Sequence, residues 1–219
     1  MGDAAAFMTK RTKSSRRWLQ EHESDEYVKR ARESGYRSRA VFKLEEIQRT
    51  DRLIRPDMTI VDLGAAPGGW SQYAARLLQG RGRIVALDIL PMDAIAGVEF
   101  IQGDFGGDEA LRQLTDLMGA DRPQLVMSDM APNMTGIAEV DHDRSMHLVE
   151  LALEFATDHL APGGDFLVKV FQGRHFQPFM QQLRGLFATV KVRKPEASRQ
   201  RSPELYLLAR RLKSETRRS

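Results

Sequence analysis

The stretch that decides the fold is Ile60-Val-Asp-Leu-Gly-Ala-Ala-Pro-Gly-Gly-Trp70. The apolar run over 58–63 predicts a short buried strand, and a helical pattern over 69–78 follows the turn. Gly64, Gly68 and Gly69 have no side chains, so a ligand can approach the backbone of this turn closely. In a doubly wound α/β sheet, such a turn at the carboxyl end of the first strand is where nucleotide-like ligands bind.

The glycine spacing distinguishes between ligand classes. The turn lacks the G-x-G-x-x-G spacing of dinucleotide-binding proteins. It reads Asp-x-Gly-x-x-x-Gly-Gly from Asp62, which favours S-adenosylmethionine (SAM), a ligand with an adenosine and a cationic sulfonium but no phosphate. A tight strand-to-helix turn that binds no ligand is the structural alternative.

Strand and helix patterns alternate along the rest of the chain. Strands are predicted over 58–63, 83–88, 98–102, 124–128, 165–171, 189–193 and 204–209, and helices over 18–32, 38–48 (with Ser38 as N-cap), 69–78, 109–118, 144–160 and 177–186. This order predicts an α/β protein with a Rossmann-like, mostly parallel seven-stranded sheet and helices on both faces. The loop before the last strand is too short for a clear helix, so that strand is expected to be antiparallel.

Length and composition set outer limits. The 219 residues fit one domain, expected over 18–210, with a disordered basic tail over 1–17 and a basic tail over 211–219. The absence of cysteine excludes disulfides and thiolate metal sites, and the five histidines show no ligand spacing, so no metal is expected. No apolar run approaches the length of a membrane span. We expect a cytoplasmic monomer.

Charge is distributed unevenly along the chain. Residues 1–55 contain 14 Lys/Arg against 9 Asp/Glu, residues 56–183 contain 8 against 18, and residues 184–219 contain 11 against 3. Two basic ends around an acidic middle favour a polyanionic partner, because phosphate contacts release counterions. Solvated charged faces are the alternative explanation.

Aspartates lie at or just after the ends of the first four predicted strands. They are Asp62, Asp88, Asp104 and Asp129. Ligands of such sheets lie beyond the carboxyl ends of the strands, so Asp88 is placed to accept hydrogen bonds from ribose hydroxyls and Asp104 from an adenine amino group. Each could also be an ordinary loop or capping residue.

Lys169 lies inside the apolar fifth strand, Phe166-Leu-Val-Lys-Val-Phe171. An unpaired buried ammonium is costly, so Lys169 needs a partner, and Asp129 at the end of the neighbouring strand is the natural one. This pair is either a structural ion pair or a positioned acid/base group.

Four motifs, 37–44, 62–70, 128–133 and 168–173, together resemble the FtsJ/RrmJ family. The resemblance spans about 16–209. It implies SAM-dependent 2′-O-methylation of RNA ribose, and most closely of a uridine in the A-loop of 23S ribosomal RNA within the large ribosomal subunit. Val41 and the segment 173–176 depart from the family pattern beside the expected RNA face, which bears on substrate choice.

The family resemblance also implies roles for particular residues. The catalytic tetrad would be Lys43, Asp129, Lys169 and Glu204. Contacts to SAM would come from Gly68, Trp70, Asp88, Asp104 and Asp129. RNA would lie across two basic clusters, Arg32, Arg37 and Arg39 near the N-terminus and Arg193, Lys194, Arg199 and Arg201 near the C-terminus.

Several alternatives remain open on the sequence. Lys169 could remove the ribose proton as a base, or orient the hydroxyl as a charged lysine. The substrate could be another RNA, such as tRNA. An RNA-binding ribosome assembly factor, an NAD-dependent oxidoreductase and a small-molecule methyltransferase are competing classes. The glycine spacing argues against the oxidoreductase, and the two basic ends argue against the small-molecule enzyme.

Overall fold

A computed structural model describes residues 25–133, 135–199 and 202–214. The strands are β1 (Met58–Leu63), β2 (Gly82–Asp88), β3 (Val98–Gln102), β4 (Leu125–Ser128), β5 (Asp165–Phe171), β6 (Phe187–Arg193) and β7 (Glu204–Leu212). The helices are α1 (Glu26–Glu33), α2 (Val41–Asp51), α3 (Gly69–Leu78), α4 (Asp108–Met118), α5 (Ala138–His159) and α6 (Phe176–Leu186).

The seven strands form one sheet in the order β3-β2-β1-β4-β5-β7-β6. Strands β3, β2, β1, β4 and β5 are parallel, and β7 is antiparallel to both β5 and β6. The predicted Rossmann-like architecture and the antiparallel last strand are confirmed. The insertion of β7 between β5 and β6 was not predicted, and it places the start of β7 beside the end of β5.

Helices cover both faces of the sheet. Helices α4, α5 and α6 pack on one face and contribute Leu114, Leu153 and Leu183 to its core. Helices α2 and α3 pack on the other face, where Leu44 and Trp70 are buried. Because the central strands are covered on both sides, they are apolar throughout rather than alternating. Lys169 is therefore enclosed, with only 7% of its surface exposed.

Several element boundaries differ from the predictions. Ser38 is not an N-cap: α2 begins at Val41 after Ala40, and the Ser38 side chain packs against Gly69 instead. Helix α5 begins six residues earlier than predicted, and the Asp141 carboxylate in its first turn accepts hydrogen bonds from Thr135 and the Gly136 N–H, which fixes the segment leading into the helix. Strand β7 runs three residues further, to Leu212.

Some predictions lie outside the described residues. These are the disordered tail over 1–17, the first part of the helix predicted over 18–32, residues 215–219 of the C-terminal tail, and the RNA contact of Arg201. None of the helices within the described ranges is both long and apolar enough to cross a membrane.

Candidate active site

The four residues of the predicted tetrad converge at the carboxyl edge of the sheet. Lys43 Nζ lies 2.6 Å from Glu204 Oε1, and Lys169 Nζ lies 3.1 Å from Asp129 Oδ1. Lys169 also donates to the backbone carbonyl of Asp129 at 2.5 Å. The structure thus brings together two lysine–carboxylate pairs that lie far apart in the sequence.

Strand register produces this convergence. Strand β5 pairs with β4 on one side and with β7 on the other, so Val168 is opposite Ser128 and Lys169 is opposite Tyr206. Asp129 directly follows β4, and its N–H donates to the carbonyl of Leu63 in β1 at 3.1 Å. The central position of β5 therefore sets Lys169 between the aspartate of one neighbouring strand and the glutamate of the other.

Tyr206 joins the tetrad, although the sequence analysis did not predict it. Its hydroxyl donates to Asp129 Oδ1 at 2.8 Å and lies 3.5 Å from Glu204 Oε1. Lys43 Nζ stands 5.6 Å from the centre of its ring. Its position two residues after Glu204 on a strand, where alternate residues share a face, was the signal that could have identified it.

Burial raises the pKa of the Tyr206 hydroxyl well above its ordinary value, and the nearby carboxylates of Asp129 and Glu204 raise it further. Tyr206 therefore remains a neutral hydrogen-bond donor. Burial also opposes ionisation of Asp129, but the charges of Lys169 and Lys43 and the hydrogen bonds from Tyr206 and Lys169 outweigh it. The pKa of Asp129 lies below its usual value, so Asp129 is a carboxylate at neutral pH.

A cavity of about 460 Å³ adjoins the tetrad, with Asp129 in its wall. Its other lining residues include Gly64, Asp88, Asp104 and Phe105. Two backbone hydrogen bonds fix the Asp88 carboxylate. Its Oδ2 accepts from the Ala66 N–H and its Oδ1 from the Leu90 N–H, both at 2.8 Å.

The chemistry of this cavity fits SAM. Asp88 and Asp104 each retain acceptor capacity for the hydroxyl and amino donors of an adenosine. Ile89 and Leu90, which are 61% and 60% exposed at the cavity, offer apolar contact to a flat base. Gly64 has φ +76°, and a Cβ there would lie 2.7 Å from Met130 Cγ, so the floor of the cavity requires glycine.

Gly68 and Trp70, also predicted to contact SAM, do not line this cavity. Gly68 packs beneath the loop after β2, where a Cβ would lie 2.6 Å from Ile95 Cδ1. The Trp70 indole is buried, donates to the Ala40 carbonyl at 2.9 Å and packs on the Tyr206 ring at 5.7 Å. Trp70, which lies on α3, therefore contacts both the segment before α2 and the Tyr206 ring beside the tetrad.

Asp62 is fully buried at the end of β1. Its Oδ2 accepts from the Ser71 hydroxyl at 2.6 Å, while its Oδ1 has no partner among the described residues. Burial raises the pKa of Asp62 to about 7; the Ser71 hydrogen bond opposes this shift, and the negative charges of Asp129 and Asp88 add to it.

Asp62→Asn should change how stability depends on pH. The folded state binds the Asp62 proton more tightly than the unfolded state does, so the wild-type free energy of unfolding falls as pH rises from about 4 to about 7. Asparagine resembles the neutral carboxyl and removes this fall. Between pH 4 and 8, urea titrations should show the variant gaining up to ~4 kcal/mol relative to wild type. Parallel pH profiles would contradict this reading of Asp62.

The predicted RNA-contacting residues fall into two groups. Arg32 and Arg199 are exposed, and neither guanidinium makes an ion pair within the described ranges. Four others make contacts within the protein. Arg37 donates to the carbonyls of Asp93 and Ala94, and Lys194 donates to the carbonyls of Ser202 and Glu204. Arg39 pairs with Asp25, and Arg193 pairs with Asp51.

A second cavity, of about 280 Å³, opens beside the tetrad. Arg39, Lys43, Arg199 and Glu204 line it. It places two arginines next to the Lys43–Glu204 pair, and none of its lining residues lines the cavity that fits SAM, here called the cofactor cavity. In the described part of the chain, no cluster of three or more His, Asp or Glu residues could hold a metal ion.

Comparisons with known proteins identify the family of this chain. The profile of the FtsJ-like methyltransferases matches residues 36–212. The chain is 62% identical over 201 residues to "Ribosomal RNA large subunit methyltransferase E" of Dichelobacter nodosus (strain VCS1703A), covering 91% of this chain and 96% of that protein.

Two solved structures share the fold. A provisionally assigned ribosomal RNA methyltransferase from Plasmodium falciparum superposes with a TM-score of 0.74 at 28% identity, covering 81% of this chain and 98% of that one. A provisionally assigned rRNA methylase from Clostridium thermocellum, at 17% identity and a TM-score of 0.53, covers 77% of this chain and 97% of its own, and shows the fold alone. On the profile match and the 62% identity, the chain belongs to the FtsJ-like methyltransferase family.

Proposed function

We propose that this protein transfers the methyl group of SAM to the ribose 2′-oxygen of a uridine in the A-loop of 23S ribosomal RNA, within the large ribosomal subunit. The observation that carries the proposal is the Lys169–Asp129 pair at the edge of the cofactor cavity, with Lys43 and Glu204 beside it. The relative from D. nodosus, named as a large-subunit ribosomal RNA methyltransferase, supports the choice of substrate.

When bound, SAM supplies an electrophilic methyl group. Asp88 and Asp104 would hold its adenosine, and Asp129 lies between its cavity and Lys169. The protein's other task is to present a ribose 2′-hydroxyl, a weak nucleophile, in the correct orientation and to accept its proton.

The contacts of Lys169 suit it to this task. Its nitrogen already makes two contacts, one to the Asp129 carbonyl and one to the Asp129 carboxylate. These contacts occupy two directions around the nitrogen and leave a third direction for a ribose hydroxyl. There Lys169 would either accept the proton of the hydroxyl as a base or orient the hydroxyl as a charged lysine, and Lys43 and Glu204 would align the ribose from the other side.

Tyr206→Phe tests whether the tyrosine positions the tetrad. The change removes the hydrogen bond to Asp129 but keeps the ring that packs on Trp70. Asp129 then loses one of the donors that orient it towards Lys169, so kcat should fall roughly 10-fold. The Kd for SAM should stay within about twofold of wild type. An unchanged kcat would mean that Tyr206 serves stability alone.

Arg199→Ala tests the RNA face. Because Arg199 is exposed beside the tetrad, its loss should weaken RNA binding and reduce the slope of log K against log salt by about 1. Arg193→Ala is the matched control, since Arg193 is held by Asp51 and its loss should lower stability without changing the slope. Equal slopes for Arg199→Ala and wild type would contradict this assignment.

The substrate assignment can be tested with labelled SAM and RNAs from cells that lack the protein. Large subunits, small subunits, free ribosomal RNA and tRNA are incubated separately, and the product is digested to locate the label. Label confined to large-subunit RNA at an A-loop uridine supports the proposal. Label in tRNA, or elsewhere in ribosomal RNA, would overturn it while leaving the SAM site intact.

A further inference from the structure

A third cavity lies outside the cofactor site and the tetrad. It measures about 410 Å³ and opens between the first turns of α5 and the loop after β5. Its lining includes Ala138, His142, Ser145, Phe171, Gly173 and Pro203. The function proposed above assigns no role to this cavity.

The cavity opens at the same edge of the sheet as the tetrad. Phe171 follows Lys169 by two residues on β5, and Pro203 directly precedes Glu204. The Gln172 N–H donates to the Pro203 carbonyl at 2.9 Å, which closes β5 against β7 at this point. Two residues of strand span roughly 7 Å, so Phe171 in the cavity lining lies about that far along β5 from Lys169.

One wall of the cavity is the imidazole of His142, which stacks on the His175 ring outside the lining. The His142 and His175 rings lie 5.4 Å apart at an interplanar angle of 11°. His175 is held in turn by Arg174, which donates to its Nε2 at 2.8 Å and pairs through both carboxylate oxygens with Asp143. This wall is therefore flat and its orientation is fixed.

His142 also carries an unused hydrogen-bonding atom. Its Nε2 is buried and has no partner among the described residues, an arrangement that is costly unless a ligand completes it. The ring lies against Gly173 so closely that a Cβ there would come within 2.4 Å of it by construction. Glycine at 173 thus lets the imidazole reach the cavity wall.

The charges around the cavity favour a neutral ligand over a phosphate. Glu139 and Asp141 are in its lining, and the one arginine there, Arg174, is already paired with Asp143. The rim is apolar, with Ile137 and Val140 exposed beside it. A flat, uncharged ring with polar edge atoms matches apolar walls, a stacked imidazole and one unpaired nitrogen.

We propose that this cavity receives the base of the methylated nucleotide, and that His142 Nε2 forms a hydrogen bond with the edge of that base. The proposal rests on the function proposed above and adds a basis for choosing the nucleotide. The tetrad binds the ribose, which all nucleotides share, whereas this cavity contacts the part that differs between them. His142 is accordingly a specificity-determining residue outside the tetrad.

The test compares two substrates and three proteins. Tagged large subunits from cells lacking the protein carry either uridine or cytidine at the position that the wild-type protein labels. His142→Phe keeps a ring to stack on His175 but removes both nitrogens. His147→Phe is the matched control, because His147 is exposed on the same helix and does not line the cavity. SAM affinity and thermal unfolding are measured for all three proteins.

Wild type and His147→Phe should prefer uridine by roughly 10-fold or more in kcat/KM, the cost of leaving a buried polar group unpaired in the wrong complex. His142→Phe should reduce this preference to less than threefold while SAM affinity stays unchanged. A wild-type preference retained by His142→Phe, or no preference in wild type, overturns the base subsite but leaves the methyl transfer in place. If no protein labels any subunit, the proposed function fails and this inference falls with it.

A variant at the opposing wall guards against a folding artefact. Gly173→Ala keeps His142 but pushes its ring away from the wall, so it should also lose the preference for uridine. Retention of the preference by Gly173→Ala, in a protein that binds SAM normally, would count against the subsite.

Discussion

Lys169→Ala should lower methyl transfer by about 1,000-fold, within the usual range for loss of a positioned acid/base group. The side chain is 7% exposed and is held by two contacts to Asp129, so no other lysine can take its place without moving the sheet. Lys169 does not line the cofactor cavity. The Kd for SAM should therefore stay close to the wild-type value, and single-turnover assays at saturating SAM isolate the loss.

Lys191→Ala is the matched control for this prediction. Lys191 lies on β6 and pairs with Asp51 at the end of α2, far from the tetrad. Its removal should leave turnover unchanged. If Lys169→Ala retained near-normal turnover while still binding SAM, the Lys169–Asp129 pair would be a structural ion pair only. In that case another group would have to handle the proton of the ribose hydroxyl.

Gly64→Ala should weaken SAM binding by roughly 100-fold, as misplacement of a binding group by about an ångström commonly does. The new Cβ would lie 2.7 Å from Met130 Cγ and 2.9 Å from both Met130 N and Cα. Because two of these atoms belong to the backbone, the segment after β4 must shift. Asp129 and Met130 both line the cofactor cavity, so the shift distorts the cavity. Calorimetric titration with SAM measures the change.

Gly163→Ala separates the steric clash from backbone strain. Gly64 and Gly163 have nearly equal φ values, +76° and +75°, but a Cβ at Gly163 would meet nothing within 4 Å. Both variants pay roughly 1–2 kcal/mol for the left-handed conformation, and only Gly64→Ala should lose SAM affinity. Similar losses in both variants would attribute the effect to global destabilisation instead.

Much of the fold was predictable because it depends on local patterns. The apolar runs of β1, β4 and β5 and the alternation of strands with helices identified the parallel sheet. The insertion of β7 between β5 and β6 was not predictable, since pairing order among edge strands depends on long-range packing. The early start of α5 was not predictable either, and the Asp141 carboxylate in its first turn accepts from Thr135 and Gly136, a contact that spacing alone does not indicate.

The candidate site, too, was only partly predictable from local sequence patterns. Lys169 could be identified from the sequence because a lysine within an apolar strand is energetically anomalous. Tyr206 was missed, because a tyrosine in a strand is unremarkable until its hydroxyl is seen to reach Asp129.

The roles of several predicted residues depend on the groups that contact them in the folded protein. Arg193 and Lys194 read as RNA contacts from their charge, but Asp51 and backbone carbonyls engage them. Trp70 was expected to contact SAM, and its indole packs on Tyr206. A sequence shows which residues are charged or aromatic, but it does not show which groups they contact in the folded protein.

The chemistry of the product tests most directly whether the protein transfers the methyl group from the sulfur of SAM to a ribose 2′-oxygen. A 2′-O-methyl group removes the hydroxyl that alkali needs to cleave the adjacent phosphodiester. Large-subunit RNA labelled by the wild-type protein should therefore release its label in an alkali-resistant dinucleotide, and Lys169→Ala should yield almost none. Label released in alkali-sensitive mononucleotides would place the methyl group on a base and contradict the account.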